Sequence, residues 1–97
     1  MDIKVQAVHF KADHKLIEYT EDKVGKLVLF NDHIVTAEIF LRLENTSDVE
    51  NKVAEVKLLV PGKELFSKKQ AKTFEEAVDL AAEALRKQVL KEKEKVS

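Results

Sequence analysis

The stretch Thr73-Phe-Glu-Glu-Ala-Val-Asp-Leu-Ala-Ala-Glu-Ala-Leu-Arg-Lys-Gln-Val-Leu-Lys91 decides the fold of this 97-residue chain. It opens on a capping box, in which the Thr73 hydroxyl accepts from the Glu76 amide while the Glu76 side chain reaches back to the cap amide. Phe74, Ala77, Val78, Ala81, Leu85 and Val89 then recur at helical spacing. They form one apolar stripe, which predicts a helix lying on a sheet. Beyond it, residues 91–95 alternate lysine and glutamate, as an exposed last turn does, with the lysines favourable at the helix C-terminus.

The sheet is legible upstream. Residues 2–8 set Ile3, Val5 and Ala7 against Lys4 and Gln6, the period-two pattern of a half-buried strand. Asp13 offers an N-cap to a first helix, whose face carries Leu16, Ile17, Thr20, Val24, Leu27 and Val28, with Gly25 its weak point. Residues 34–43 are rich in β-branched and aromatic side chains and place Val35, Ala37, Ile39, Leu41 and Leu43 on one face. The polar stretch 44–51 reads as a turn. Residues 52–60 resume alternation through Ala54, Val56, Leu58 and Val60, Pro61-Gly62 is a turn dipeptide, and 63–70 fold back as a fourth strand. The order is β-α-β-β-β-α, an α+β two-layer sandwich with a four-stranded mixed sheet and both helices on one face. Phe40 and Phe66 then face its uncovered side.

Length and composition bound the function. A chain of this size forms one domain, 1–97, around one core. There is no cysteine, which removes disulfides and thiolate chemistry and fits a reducing compartment. No apolar run is long enough to span a bilayer, so a soluble, cytoplasmic protein is expected. His9, His14 and His33 lack metal-ligand spacing, the two glycines lie far apart and cradle no phosphate, and Ser47, Ser67 and Ser97 lack a nucleophile-elbow setting. No catalytic residue, metal, cofactor or small-molecule substrate is expected. The chain reads as a non-enzyme.

The cations are the remaining feature. The net charge is -1, but residues 1–62 carry eight basic and eleven acidic side chains, whereas residues 63–97 carry nine basic and seven acidic. On the second helix Lys87, Lys91 and Lys95 share one flank, with Arg86 and Lys93 on the other. On the first helix Lys23 and Lys26 lie one turn apart between Tyr19 and Phe30. Side-by-side helices would merge the two strips, with Lys68, Lys69 and Lys72 at the periphery. Two readings stand. The lysines are a solvated face with Glu92 and Glu94 as surface partners, or they are a phosphate-binding surface for RNA. Tyr19 and Phe30 likewise read either as caps on the core or as part of that surface.

The whole chain resembles the ribosome hibernation-promoting factor family, also called the ribosome-associated inhibitor or sigma-54 modulation protein family. The residues that carry the resemblance are Met1-Asp-Ile-Lys-Val-Gln-Ala-Val-His9, the run 16–27 with Lys23 and Lys26, Phe40-Leu-Arg-Leu-Glu-Asn45, and above all the helix from Ala77-Val-Asp to Arg86-Lys-Gln-Val-Leu-Lys91. The resemblance implies a factor that binds the small ribosomal subunit in the mRNA and tRNA channel and inhibits translation in stationary phase or starvation. It places ribosomal RNA contacts on Lys23, Lys26, Lys87 and Lys91, with Arg86 beside them. Ala84 departs from the lysine common in the family, which takes one phosphate contact out of that footprint. The chain is expected to be a short form without a C-terminal dimerisation domain, with a separate ribosome-dimerising factor as a further partner. Two other functions remain open from the residues alone: a protein-interaction domain using the open sheet face around Phe40, Arg42 and Phe66, and a generic double-stranded-RNA-binding domain.

Overall fold

The computed structural model describes residues 1–45 and 49–96, with side chains as far as 92. Its elements are β1 (Asp2–Val8), α1 (His14–Gly25) followed by a 3-10 turn (Lys26–Leu29), β2 (Thr36–Leu43), β3 (Lys52–Val60), β4 (Lys63–Ala71) and α2 (Phe74–Val96). The strands lie in the order β1-β2-β3-β4. β1 and β2 are parallel, and the two hairpins that follow are antiparallel. Parallel neighbours need a crossover, which α1 supplies.

Local chemistry sets the element ends. The Asp13 carboxylate accepts from the Leu16 amide at 2.8 Å, and the Thr73 hydroxyl accepts from the Glu76 amide at 3.1 Å. Each satisfies an amide that the helix start would leave unpaired. Gly62 takes φ 76° in the β3–β4 turn, a conformation open to glycine without strain.

Three boundaries differ from the sequence reading. The first helix does not run on to Val28 in α form but tightens into a 3-10 turn after Gly25, where helix propensity is lowest. β2 begins at Thr36 rather than 34, and Val35 and Leu43, expected on its buried face, are 49 % and 50 % exposed. They stand at the two ends of the strand, beyond the cover of the helices. β4 runs one residue further, to Ala71.

The core lies between the sheet and both helices. Ala37, Ile39 and Leu41 of β2 meet Ala54, Val56 and Leu58 of β3, and Leu16, Val24, Ala77, Val78, Leu85 and Val89 close over them from α1 and α2. The predicted α2 stripe is thus buried along its length, with only Phe74 partly exposed. Phe74 stacks on Phe10 with ring centroids 4.9 Å apart, which ties the β1–α1 connection to the start of α2.

Two polar side chains enter this core, with opposite outcomes. Thr20 donates to the Leu16 carbonyl at 2.8 Å, so its burial leaves nothing unpaired. The hydroxyl of Ser67, on β4 opposite Val56, is buried without a hydrogen-bond partner among the described residues. An unsatisfied buried hydroxyl costs about 1 to 3 kcal/mol. Ser67→Ala is therefore expected to raise stability by about 1 kcal/mol, read as a higher urea midpoint at unchanged denaturant slope; a lower midpoint would show that the hydroxyl has a stabilising role.

Candidate nucleic-acid interface

Only one face of the sheet is apolar, so α1 and α2 lie side by side on it, and a groove of about 460 Å³ runs between them. Its floor includes Leu27, Phe30 and Ala82, and its walls carry the cations Lys23, Lys26 and Arg86 with the carboxylates Asp79 and Glu83. Lys23 and Lys26 come from the end of α1 and the start of the 3-10 turn, where the helix dipole favours positive charge.

A polar clasp joins the helices. The Tyr19 hydroxyl donates to Asp79 Oδ1 at 2.6 Å. Lys23 Nζ lies 3.5 Å from the same oxygen and 5.6 Å from the Tyr19 ring centroid. The hydrogen bond to Asp79, with smaller contributions from burial and from the Asp79 charge, pushes the Tyr19 pKa up to about 12. Within α2, Arg86 donates to Glu83 through two hydrogen bonds, Nε–Oε2 at 3.0 Å and Nη2–Oε1 at 2.6 Å. Its guanidinium carbon stands 5.9 Å from the Phe30 ring centroid. The Arg86 hydrogen bonds hold the Glu83 carboxyl below its ordinary range, and nearby Lys87 pulls in the same direction. Tyr19 and Phe30 also pack against the core, and each stands near a cation of the helix pair.

The expected cations are divided between two flanks of α2. Arg86 lies on the α1 side, in the groove with Lys23 and Lys26. Lys87 and Lys91 follow at about 100° and 140° round the helix axis from it, so the merged strip is built with Arg86 and not with them. Lys87 projects from the outer surface of the helical layer. Lys91 falls on the flank toward β4, where Gln88 donates to the Phe66 carbonyl at 2.9 Å. Lys26, Lys87 and Lys91 are exposed and have no ion-pair partner among the described residues.

The peripheral set is scattered. Lys69 is exposed on the helix-bearing side of β4, in register with Ala54, and Lys72 is exposed in the connection to α2. Lys68 points to the opposite side of the sheet, 3.9 Å from Glu55, because strand side chains alternate and its neighbours Ser67 and Lys69 take the inner face. The side chains of Lys93 and Lys95 lie outside the described residues. On the open face Glu55 also binds Arg42 at 2.5 Å, and Lys57 Nζ stands 5.8 Å from the Phe40 ring centroid. That face is charge-compensated, with Phe66 45 % exposed on it.

Among the described residues no cluster of three or more His, Cys, Asp or Glu side chains could hold a metal ion, and no helix is long and apolar enough to cross a membrane. The sequence reading missed Asp79 and Glu83 as members of the site. The Glu83–Arg86 pair was available from its i, i+3 spacing; Asp79 was not, because its partners lie about sixty residues away.

Tyr19 is the single tyrosine, and the chain has no tryptophan, so phenolate absorbance reports this residue alone. The Asp79 bond holds the proton on the folded state. Its contribution to stability is whole below pH 10 and is lost as pH rises toward about 12. Ultraviolet titration is expected to place the midpoint near 12, and Asp79→Ala to return it toward 10, the value of a free tyrosine; an ordinary midpoint in the unmodified protein would rule out the clasp.

Residues 3–97 match the sequence family described as Sigma 54 modulation protein / S30EA ribosomal protein. A curated relative, the ribosome hibernation promotion factor of Bacillus subtilis (strain 168), is 31% identical over 97 residues, covering 100% of this chain and 51% of the relative. The chain thus spans about half the length of that relative. A ribosomal subunit interface protein from Coxiella burnetii superposes with a TM-score of 0.84 at 22% identity, covering 96% of this chain and 98% of that one. The N-terminal domain of Thermus thermophilus Protein Y gives a TM-score of 0.81 at 23% identity over 94% and 98% of the two chains. Both share its two-layer fold. With nearly its whole length matched, the chain belongs to the Sigma 54 modulation protein / S30EA ribosomal protein family.

Proposed function

We propose that this chain is a ribosome hibernation factor that binds the small ribosomal subunit through its helical layer, occupies the mRNA and tRNA channel, and inhibits translation in stationary phase or starvation by steric exclusion. The observation that carries the reading is the asymmetry of the two faces. The helical layer presents Lys26, Lys87 and Lys91 without ion-pair partners among the described residues, beside the Lys23 and Arg86 groove. On the open sheet face Arg42 and Lys68 are held by Glu44 and Glu55, Lys57 stands over the Phe40 ring, and Lys4 and Lys57 flank Glu38 in register.

Family membership and the name of the Bacillus subtilis relative support the same reading. Mechanistically it needs shape and phosphate contacts. Ribosomal RNA is largely double-helical, and the deep, narrow major groove of A-form helices is closed to side chains. Each lysine that replaces counterions on a phosphate makes binding salt-dependent. The function requires no catalytic step and operates in a bacterial cytoplasm, and a separate ribosome-dimerising factor is compatible with it as a further partner.

The test is cosedimentation with purified small subunits across a salt series. Binding is expected to weaken steeply as salt rises, and the double charge reversal Lys26→Glu with Lys87→Glu to reduce it by at least tenfold at an unchanged far-UV spectrum. Lys68→Glu, on the other face, is expected to leave it unaltered. Salt-insensitive association, or none, would refute the proposal. A free protein that sediments as a tight dimer, with binding lost on Phe66→Ala instead, would move the site to the open sheet face.

A further inference from the structure

Two of the cations that line the interhelical groove are already held by carboxylates of the protein itself. Lys23 lies against Asp79 at 3.5 Å, and Arg86 is gripped on two nitrogens by Glu83. The groove therefore carries three cations and two carboxylates, and its net charge is far below what its lysine and arginine content suggests. Neither pair is buried: the side chains of Lys23, Asp79, Arg86 and Glu83 keep 41%, 45%, 36% and 52% of their surface exposed. A phosphate can reach each cation through the donors that the carboxylate leaves free, but it meets the charge of that carboxylate there.

We infer that Asp79 and Glu83 are specificity-determining residues, which suppress binding of generic duplex RNA by occupying Lys23 and Arg86 until a ligand of matching shape presents phosphates to both. This rests on the RNA-binding reading of the helical layer. The aromatic rings fix the geometry of the exchange. Lys23 is held over Tyr19 and Arg86 over Phe30, so each cation keeps its place whether its anion comes from the protein or from RNA. Lys26 and Lys87, which have no ion-pair partner among the described residues, make the first non-specific contacts. Lys23 and Arg86 add to them only where a rigid RNA surface enters the groove deeply enough to bring phosphates onto both cations against the charge of Asp79 and Glu83.

Salt dependence separates this device from simple charge balance. A cation that meets a phosphate beside its own carboxylate neutralises little net charge on the RNA, so the pair adds little to the salt slope. Removing the carboxylate lets the cation neutralise a full phosphate charge. The slope of log K against log salt then steepens by roughly 0.7 to 0.9 per site.

The experiment measures binding of the full chain to a synthetic RNA duplex over a salt series, for the unmodified protein and for Asp79→Asn, Glu83→Gln and Glu38→Gln. Asparagine and glutamine keep an oxygen to accept from Tyr19 or Arg86, and Glu38 is an exposed residue of β2 on the far face that controls for the same change in net charge. The expected result is an affinity for the duplex about fivefold higher for each groove variant, with the steeper slope, and little change for Glu38→Gln. Equal effects in all three variants, or no effect at the groove, would overturn the inference. The probe is not a ribosome, so this outcome stands apart from cosedimentation of the unmodified protein with small subunits, which tests the function itself.

Discussion

The sheet has one apolar face, and the rest of the molecule follows from that constraint. Ala37, Ile39 and Leu41 on β2 and Ala54, Val56, Leu58 and Val60 on β3 all point the same way, and leaving them in water would cost more than the chain's net stability. One helix covers too little of a four-stranded sheet, so both helices must share that face. α1 has no freedom to lie elsewhere, because the parallel pairing of β1 and β2 makes it the crossover. The interhelical groove is a by-product of two cylinders packed on one surface, and the cations at its rim are a use of it.

The opposite face is built by other rules. Its rows alternate charges and aromatics, with Phe40 flanked by Gln6 and Glu55 in register, and Glu38 by Lys4 and Lys57. Val53 is fully buried there, but the face has no apolar cluster that a helix would need to cover. Edge strand β4 carries Lys63, Lys68 and Lys69, which disfavours addition of a further strand. The helical layer, in contrast, carries Lys26, Lys87 and Lys91 without an ion-pair partner among the described residues.

The clasp of Tyr19, Lys23 and Asp79 links stability to the proposed site. It joins α1 to α2 by a short hydrogen bond at the place where the groove's acidic and basic groups meet. Lys23 can then move between anions without loosening the helix pair, since the Tyr19 hydroxyl stays on Asp79. Arg86 has a comparable anchor in the Phe30 ring. A surface built for exchange needs cations with fixed positions and replaceable partners, and exposed pairs worth little in water meet that requirement.

The order of elements, the β3–β4 turn and the buried α2 stripe were determined by local sequence, because period-two and helical spacing, Pro61-Gly62 and the Thr73 cap act within a few residues of chain. Boundaries were less legible where tertiary cover decides burial. Val35 and Leu43 have the residue types and parity of core positions, and only the reach of the helices leaves them exposed. The cations of the candidate site were all visible as residue types, and Lys23 and Lys26 could be paired from their spacing on one helix. Which flank of α2 faces α1 could not be read, since a helix carries its cations all round and nothing in its own sequence names its neighbour. Tertiary packing brought Arg86 to Lys23 and Lys26, left Lys87 and Lys91 outside the groove, and set Asp79 against a tyrosine about sixty residues away. The physical reason is that charge pairing acts through space at a few ångströms, a distance that only the folded chain defines.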